Sequence, residues 1–141
     1  MVFEKIDSNV SVIKLLMDGY KEAIEEEPLT EEQYAELERA IRDSRIHFFI
    51  AKEDEAVAMC SVSVTFSTFT CSAGGVFEDF YILPKYRKSG LARRLTEYVF
   101  DWCKQNGIMS LWVGSSDCDV GMYRNLGFEI PLGNLLAWSA E

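Results

Sequence analysis

The chain has 141 residues, 48% apolar and 26% charged, a composition that excludes disorder and fibrous repeats and a length that predicts one domain. No apolar run approaches the ~20 residues needed to cross a bilayer, and charges within Met1–Lys5 leave no apolar core for a signal peptide, so a cytoplasmic protein with no membrane partner is expected. The formal net charge of −9 argues against nucleic acid, whose binding rests on neutralised phosphates.

Val2–Ile6 reads as a short strand ending at Asp7 and Ser8, both good helix-capping types. Ile13, Leu16, Met17, Tyr20 and Ile24 then recur at helical spacing until Pro28. Thr30–Gln33 has the form of a capping box, with Leu29 and Tyr34 placed as a hydrophobic staple. Tyr34, Leu37 and Ile41 give the second helix one apolar face. Eight glutamates fall between Glu22 and Glu38, mostly off these stripes, as a solvated face requires.

The period then changes to two. Ile46–Lys52 is a predicted strand and Glu53–Glu55 a turn. Ala58, Cys60, Val62, Val64 and Phe66 alternate with Ser61, Ser63 and Thr65, which predicts a half-buried strand. Ser72–Gly75 reads as a loop. Val76–Leu83 is more continuously apolar, as a central strand covered on both faces would be, and Pro84 stops it. A helix from about Gly90 to Asn106 follows, carrying Leu91, Leu95, Tyr98, Val99 and Trp102 inward and ending at Gly107. Met109–Gly114 is predicted as a buried strand, Asp117 or Asp119 as the cap of a short helix ending at Gly127, and Leu135–Ser139 as a closing strand. Cys60, Cys71, Cys103 and Cys118 lack metal-ligand spacing, and His47 is the only histidine, so no metal site is expected and the cysteines read as core residues.

The informative stretch runs from Phe80 to Ala92. A strand ends, the chain turns, and a helix begins at small residues, where unpaired N–H groups and a partial positive charge attract anions. Phe80–Thr96 also holds five basic residues and no acid. The P-loop order is absent, because Lys88-Ser89 precedes the glycine, and no dinucleotide-type glycine loop occurs. What fits is R-x-x-G-x-G/A, here Arg87, Gly90 and Ala92. With that turn, the stretch 76–128 resembles the GNAT superfamily of N-acetyltransferases, although Lys88 stands where many relatives have glycine.

The resemblance implies a mixed α/β (α+β) fold, with a mostly antiparallel central sheet flanked by helices and acetyl-CoA as co-substrate. It implies that the backbone of Lys88, Ser89, Gly90, Leu91 and Ala92 holds the pyrophosphate, with Arg87 and Lys88 nearby. Main-chain groups of Tyr81, Ile82 and Leu83 would pair with the pantetheine arm. Tyr123-Arg124-Asn125-Leu126-Gly127-Phe128 resembles the Y-x-x-x-G-F segment of the family, whose tyrosine protonates the leaving thiolate. A phenol suits this task because its pKa of ~10 keeps it protonated at neutral pH. The asparagine that often precedes that helix is not evident; Ser115, Ser116 and Asp117 stand there, and Ser116 is the remaining candidate for a pantetheine contact.

An amine attacks a thioester only when unprotonated, so a base is required. Glu78 and Asp79 lie in the predicted central strand, where burial raises a carboxyl pKa. Phe77-Glu78-Asp79-Phe80-Tyr81 is similar to the F/L-E-D-F/L-Y segment of the spermidine/spermine and thialysine acetyltransferases, which implies Glu78 as the base and Asp79 as its support. The expected activity is direct acetyl transfer to a primary amine of a small, polyamine-like acceptor, with no metal. A non-catalytic acyl-CoA sensor and a protein lysine or N-terminal acetyltransferase are the alternatives, and a homodimer is a further implication of the resemblance.

Overall fold

The computed structural model describes residues 1–141 throughout. One five-stranded sheet forms, in the spatial order β1 (Val2–Lys5), β2 (Ile46–Lys52), β3 (Ala56–Ser67), β4 (Ser72–Ile82) and β5 (Ile108–Trp112). The first four strands are antiparallel, and β5 joins β4 in parallel through α3 (Leu91–Gln105). The expected mixed, mostly antiparallel sheet is therefore present.

Each face of the sheet carries its own core. On one face α3 buries Leu91, Leu95, Val99 and Cys103 against Phe49, Cys60, Val62 and Phe77. On the other, α1 (Lys14–Ala23) and α2 (Glu31–Arg42) cover Phe48, Ile50 and Met59 with Leu16, Met17, Tyr34 and Ile41. The predicted box opens α2. The Thr30 N–H donates to Gln33 Oε1 at 2.9 Å, and the Gln33 N–H to Thr30 Oγ1 at 3.1 Å. Thr30→Ala is expected to cost about 1 kcal/mol, read as a melting temperature lower by about 4 °C. No helix is long and apolar enough to cross a membrane.

Several expectations need correction. The first helical segment is capped by Asn9, not Asp7 or Ser8, because the Ile6 N–H still bonds the Phe48 carbonyl at 2.9 Å and keeps the chain on the sheet. That segment begins with a 3-10 turn, Val10–Ile13, and α1 stops at Ala23, well before Pro28. Ser72–Gly75 is strand, not loop. The reversal lies before it, and Gly75 fits where a Cβ would stand 2.6 Å from Val62 Cγ1, so this glycine admits two close neighbours. The first half of β3 is buried on both faces, whereas Val64 and Phe66, expected inward, are exposed.

The C-terminal third departs most. Met109–Gly114 was expected to be covered, but β5 is an edge strand with Met109 69% exposed. Leu135–Ser139 forms no strand, and Leu135, Leu136 and Trp138 lie open. Asp119 stands at the N-cap of α4 (Val120–Leu126), yet its carboxylate accepts from Ser116 Oγ at 3.0 Å instead of capping the helix. Cys60 and Cys103 are buried, but Cys71 and Cys118 are exposed in turns. His47 is buried against Trp102, with ring centroids 4.7 Å apart.

Candidate active site

The strands that carry the site separate. β5 pairs with β4 only as far as Val76↔Trp112, so Phe77–Ile82 keeps β3 as its one neighbour and opens a cleft on its other edge. This is why the second half of β4 is only partly buried, contrary to the expected double cover.

At the end of β4, a 3-10 turn spans Pro84–Tyr86 and closes with the Arg87 N–H on the Pro84 carbonyl at 3.2 Å. The next six amides, Lys88 to Arg93, donate to no acceptor in the protein. Lys88 (φ 59°) and Gly90 (φ 81°) both take left-handed backbone, and glycine meets that demand without strain. Ser89 leaves the helix uncapped, because its hydroxyl donates to the Tyr86 carbonyl at 2.5 Å. The result is a run of unpaired N–H groups at the positive end of a 15-residue helix, an arrangement able to receive an anion. None of the four ion pairs in the protein involves the basic residues around it.

Arg87 faces the other way. Its Nε donates to the Ile82 carbonyl at 2.8 Å and its guanidinium lies 5.4 Å from the Tyr81 ring centre, so it braces the turn. Lys88 is the exposed cation at this run of amides. The Leu83 N–H is bonded to the Val57 carbonyl at 3.0 Å. By antiparallel alternation, Ile82 then points its N–H away from β3 and into the cleft. Of the strand-end groups expected to pair with an extended ligand, the Leu83 N–H and the Ile82 carbonyl are thus engaged, and the Ile82 N–H faces the opening. Ser116 bonds Asp119 and contacts Cys118 Sγ at 3.2 Å.

A bulge sets the carboxylates. Met59 faces Tyr81 and Ser61 faces Glu78, so Cys60 opposes two residues, Asp79 and Phe80. Asp79 takes φ 55°, a left-handed conformation that Asp tolerates better than most side chains. The extra residue lets Ser61 Oγ donate to Asp79 Oδ2 at 2.6 Å while Ser61 lies opposite Glu78. Burial raises the pKa of Asp79, while the Ser61 bond and Lys21 partly offset the rise. Burial and then the charge of Asp79 raise that of Glu78, whose side chain is exposed.

Tyr123, on α4, stacks near Phe80 (6.3 Å between centres) and edge-on to Phe128 (5.9 Å). Burial first, then Asp119 and Cys60, push its pKa up, so the phenol keeps its proton at neutral pH. The Arg93 guanidinium donates to the Asn125 carbonyl, tying the helix of Tyr123 to the first turn of α3. A cavity of about 650 Å³ between β5 and the C-terminal segment also reaches Tyr123, but neither the carboxylates nor the Gly90 turn lines it. The free edge of β4 carries Glu78 and Asp79 and leads into the turn at Gly90.

Two residues beside the carboxylates carry no functional signal in the sequence. Tyr20, which the sequence places only in a helix stripe, lies with its ring centre 6.4 Å from that of Tyr81, and burial first, then Asp79, Tyr123, Glu78 and Glu26, push its pKa up to about 12. It gets there because α1 presses on β4 at Gly19, where a Cβ would stand 2.8 Å from the Tyr81 hydroxyl. Ser61 looked like the polar partner in an alternating strand. No group of three His, Cys, Asp or Glu side chains gathers as metal ligands would.

The model of the acetyltransferase (GNAT) family matches residues 10–128. No curated protein sequence matches the chain. Among solved structures, a probable acetyltransferase superposes with a TM-score of 0.87 at 17% identity, covering 100% of this chain and 99% of that one. An aminoglycoside acetyltransferase from an uncultured soil metagenomic sample, in complex with sisomicin, gives 0.83 at 11% identity, covering 99% and 95%. A predicted acetyltransferase with acetyl-CoA from Clostridium acetobutylicum gives 0.76 at 19% identity, covering 96% and 94%.

Proposed function

We propose, since the chain belongs to the GNAT family of acetyltransferases, that it acts as one such domain and moves acetyl from acetyl-CoA to a primary amine of a small cationic acceptor, by direct attack within a ternary complex. The observation that carries this reading is the run of six unpaired amides from Lys88 to Arg93 at the end of a splayed strand. A diphosphate seated there neutralises the helix terminus, with Lys88 adding charge. The thioester then extends along the free edge of β4, with the Ile82 N–H as a contact, towards Tyr123. Glu78 and Asp79 clear the ammonium proton, and Tyr123 protonates the departing sulfur.

Charge supports the cationic acceptor. Glu26, Glu78 and Asp79 all act on the Tyr20 phenol, and the nearby cation, Lys21, is paired with Glu26 at 2.8 Å. A polyamine fits a mouth with several carboxylates, in keeping with the similarity of Phe77–Tyr81 to the spermidine/spermine enzymes. The test is release of CoA thiol with a panel of di- and polyamines, aminosugars and lysine peptides. Release with the small amines, at a KM that rises with salt, supports the reading. Binding of acetyl-CoA without release on any amine assigns the chain to the non-catalytic sensor class. Gly90→Ala is expected to strain the turn by about 1–2 kcal/mol and to weaken acetyl-CoA binding at least ~10-fold, measured by calorimetry; unchanged affinity removes the amide run from the mechanism.

A further inference from the structure

We propose that Ser61 is a positioning residue that fixes Asp79, not Glu78, as the group taking the ammonium proton of the acceptor. This rests on the acetyl-transfer reading and adds to it which carboxylate acts and what holds it. Ser61 is fully buried on β3, and its hydroxyl makes one hydrogen bond, to Asp79 Oδ2. A buried hydroxyl needs a partner, and the bulge at Met59/Ser61 is what brings Asp79 within reach. With Oδ2 committed to Ser61, Oδ1 is left to accept. Glu78 faces solvent and bonds no fixed donor, so it supplies charge and not a set geometry.

The groups facing Asp79 are Tyr20, Lys21 and Glu26 from α1 and the segment after it, Cys60 and Ser61 from β3, and Glu78 beside it. Proton flow then balances. The acceptor R–NH3⁺ gives one proton to Asp79 Oδ1, which passes it to water. The freed lone pair forms the N–C bond at the thioester carbonyl, and the C–S bond breaks. Sulfur takes the Tyr123 proton, and the second proton leaving nitrogen restores the phenol.

The experiment follows the Asp79 carboxyl by carbon-13 NMR, assigned with Asp79→Asn, beside the pH profile of kcat, in the parent, Ser61→Ala and Ser61→Thr proteins. A hydrogen bond from Ser61 favours the ionised form, so Ser61→Ala should raise the Asp79 titration and the acid limb of kcat together, by about one pH unit, with activity recovered at higher pH. Ser61→Thr, which keeps a hydroxyl, should return both towards the parent. A merely structural serine would lower kcat at every pH and move neither midpoint. If the Asp79 titration stays in place, or moves while the acid limb does not, the assignment is overturned. If the parent acetylates no amine at any pH, the acetyl-transfer reading itself falls and takes this assignment with it; the NMR titration distinguishes that failure from a missing Ser61–Asp79 coupling.

Discussion

Replacing Tyr123 with Phe is expected to lower turnover about 100-fold while acetyl-CoA affinity and the melting temperature stay close to those of the parent. The separation follows from what the side chain touches. Its ring packs on Phe80 and Phe128, contacts that phenylalanine keeps. The hydroxyl makes no side-chain hydrogen bond whose loss would disturb the fold. The effect belongs near the lower end of general-acid contributions, because a thiolate leaves more readily than an alkoxide or an amine does. Stopped-flow release of CoA thiol, calorimetry with acetyl-CoA and a thermal melt decide the matter. Equal turnover in the two proteins would take the acid role from Tyr123, and a fall in affinity that matched the fall in turnover would make it a binding residue.

The parts of the fold that were legible in the sequence are those fixed by local chemistry. The Thr30–Gln33 box and the helix after Gly90 each have a signal within a few residues: a cap, and a glycine that tolerates left-handed backbone. What stayed hidden depends on partners far along the chain. Gly74 and Gly75 look like a loop until β3 and β5 are known to crowd them. Met109 and Leu135–Ser139 are as apolar as buried strand residues, and only the sheet order reveals β5 as an edge. The site divides in the same way. The anion turn is contiguous and was readable, as was the Glu78-Asp79 pair. That Asp79 bonds Ser61, although Ser61 lies opposite Glu78 in the register, depends on one extra residue in β4 relative to β3. Arg87 had the right charge for the turn, yet the Ile82 carbonyl holds it.

Asp79→Asn should lower kcat about 10³-fold and, at neutral pH, raise the melting temperature. Asparagine retains an oxygen for the Ser61 hydroxyl and is tolerated at φ 55°, so the backbone has no reason to change. The stability effect has a definite sign. Burial raises the folded-state pKa of Asp79 above its unfolded value, so the folded protein holds the proton more tightly than the unfolded chain. Stability therefore falls as pH rises from the ordinary carboxylate range to the raised value, and it stays lower above that. An amide carries no such penalty, so the variant should melt higher than the parent at neutral pH, and the two should converge as pH falls and Asp79 becomes neutral. A base kept partly out of water thus trades stability for readiness to take a proton. Glu78→Gln gives the contrast: its side chain is open to solvent, so kcat should fall less than 10-fold and the melting temperature should hardly move. The paired pH profiles and melts are the measurement. A large loss of kcat in Glu78→Gln beside an active Asp79→Asn would return the proton to Glu78, and an Asp79→Asn protein that melts lower at neutral pH would mean that the folded state gains, rather than loses, from the charge on Asp79.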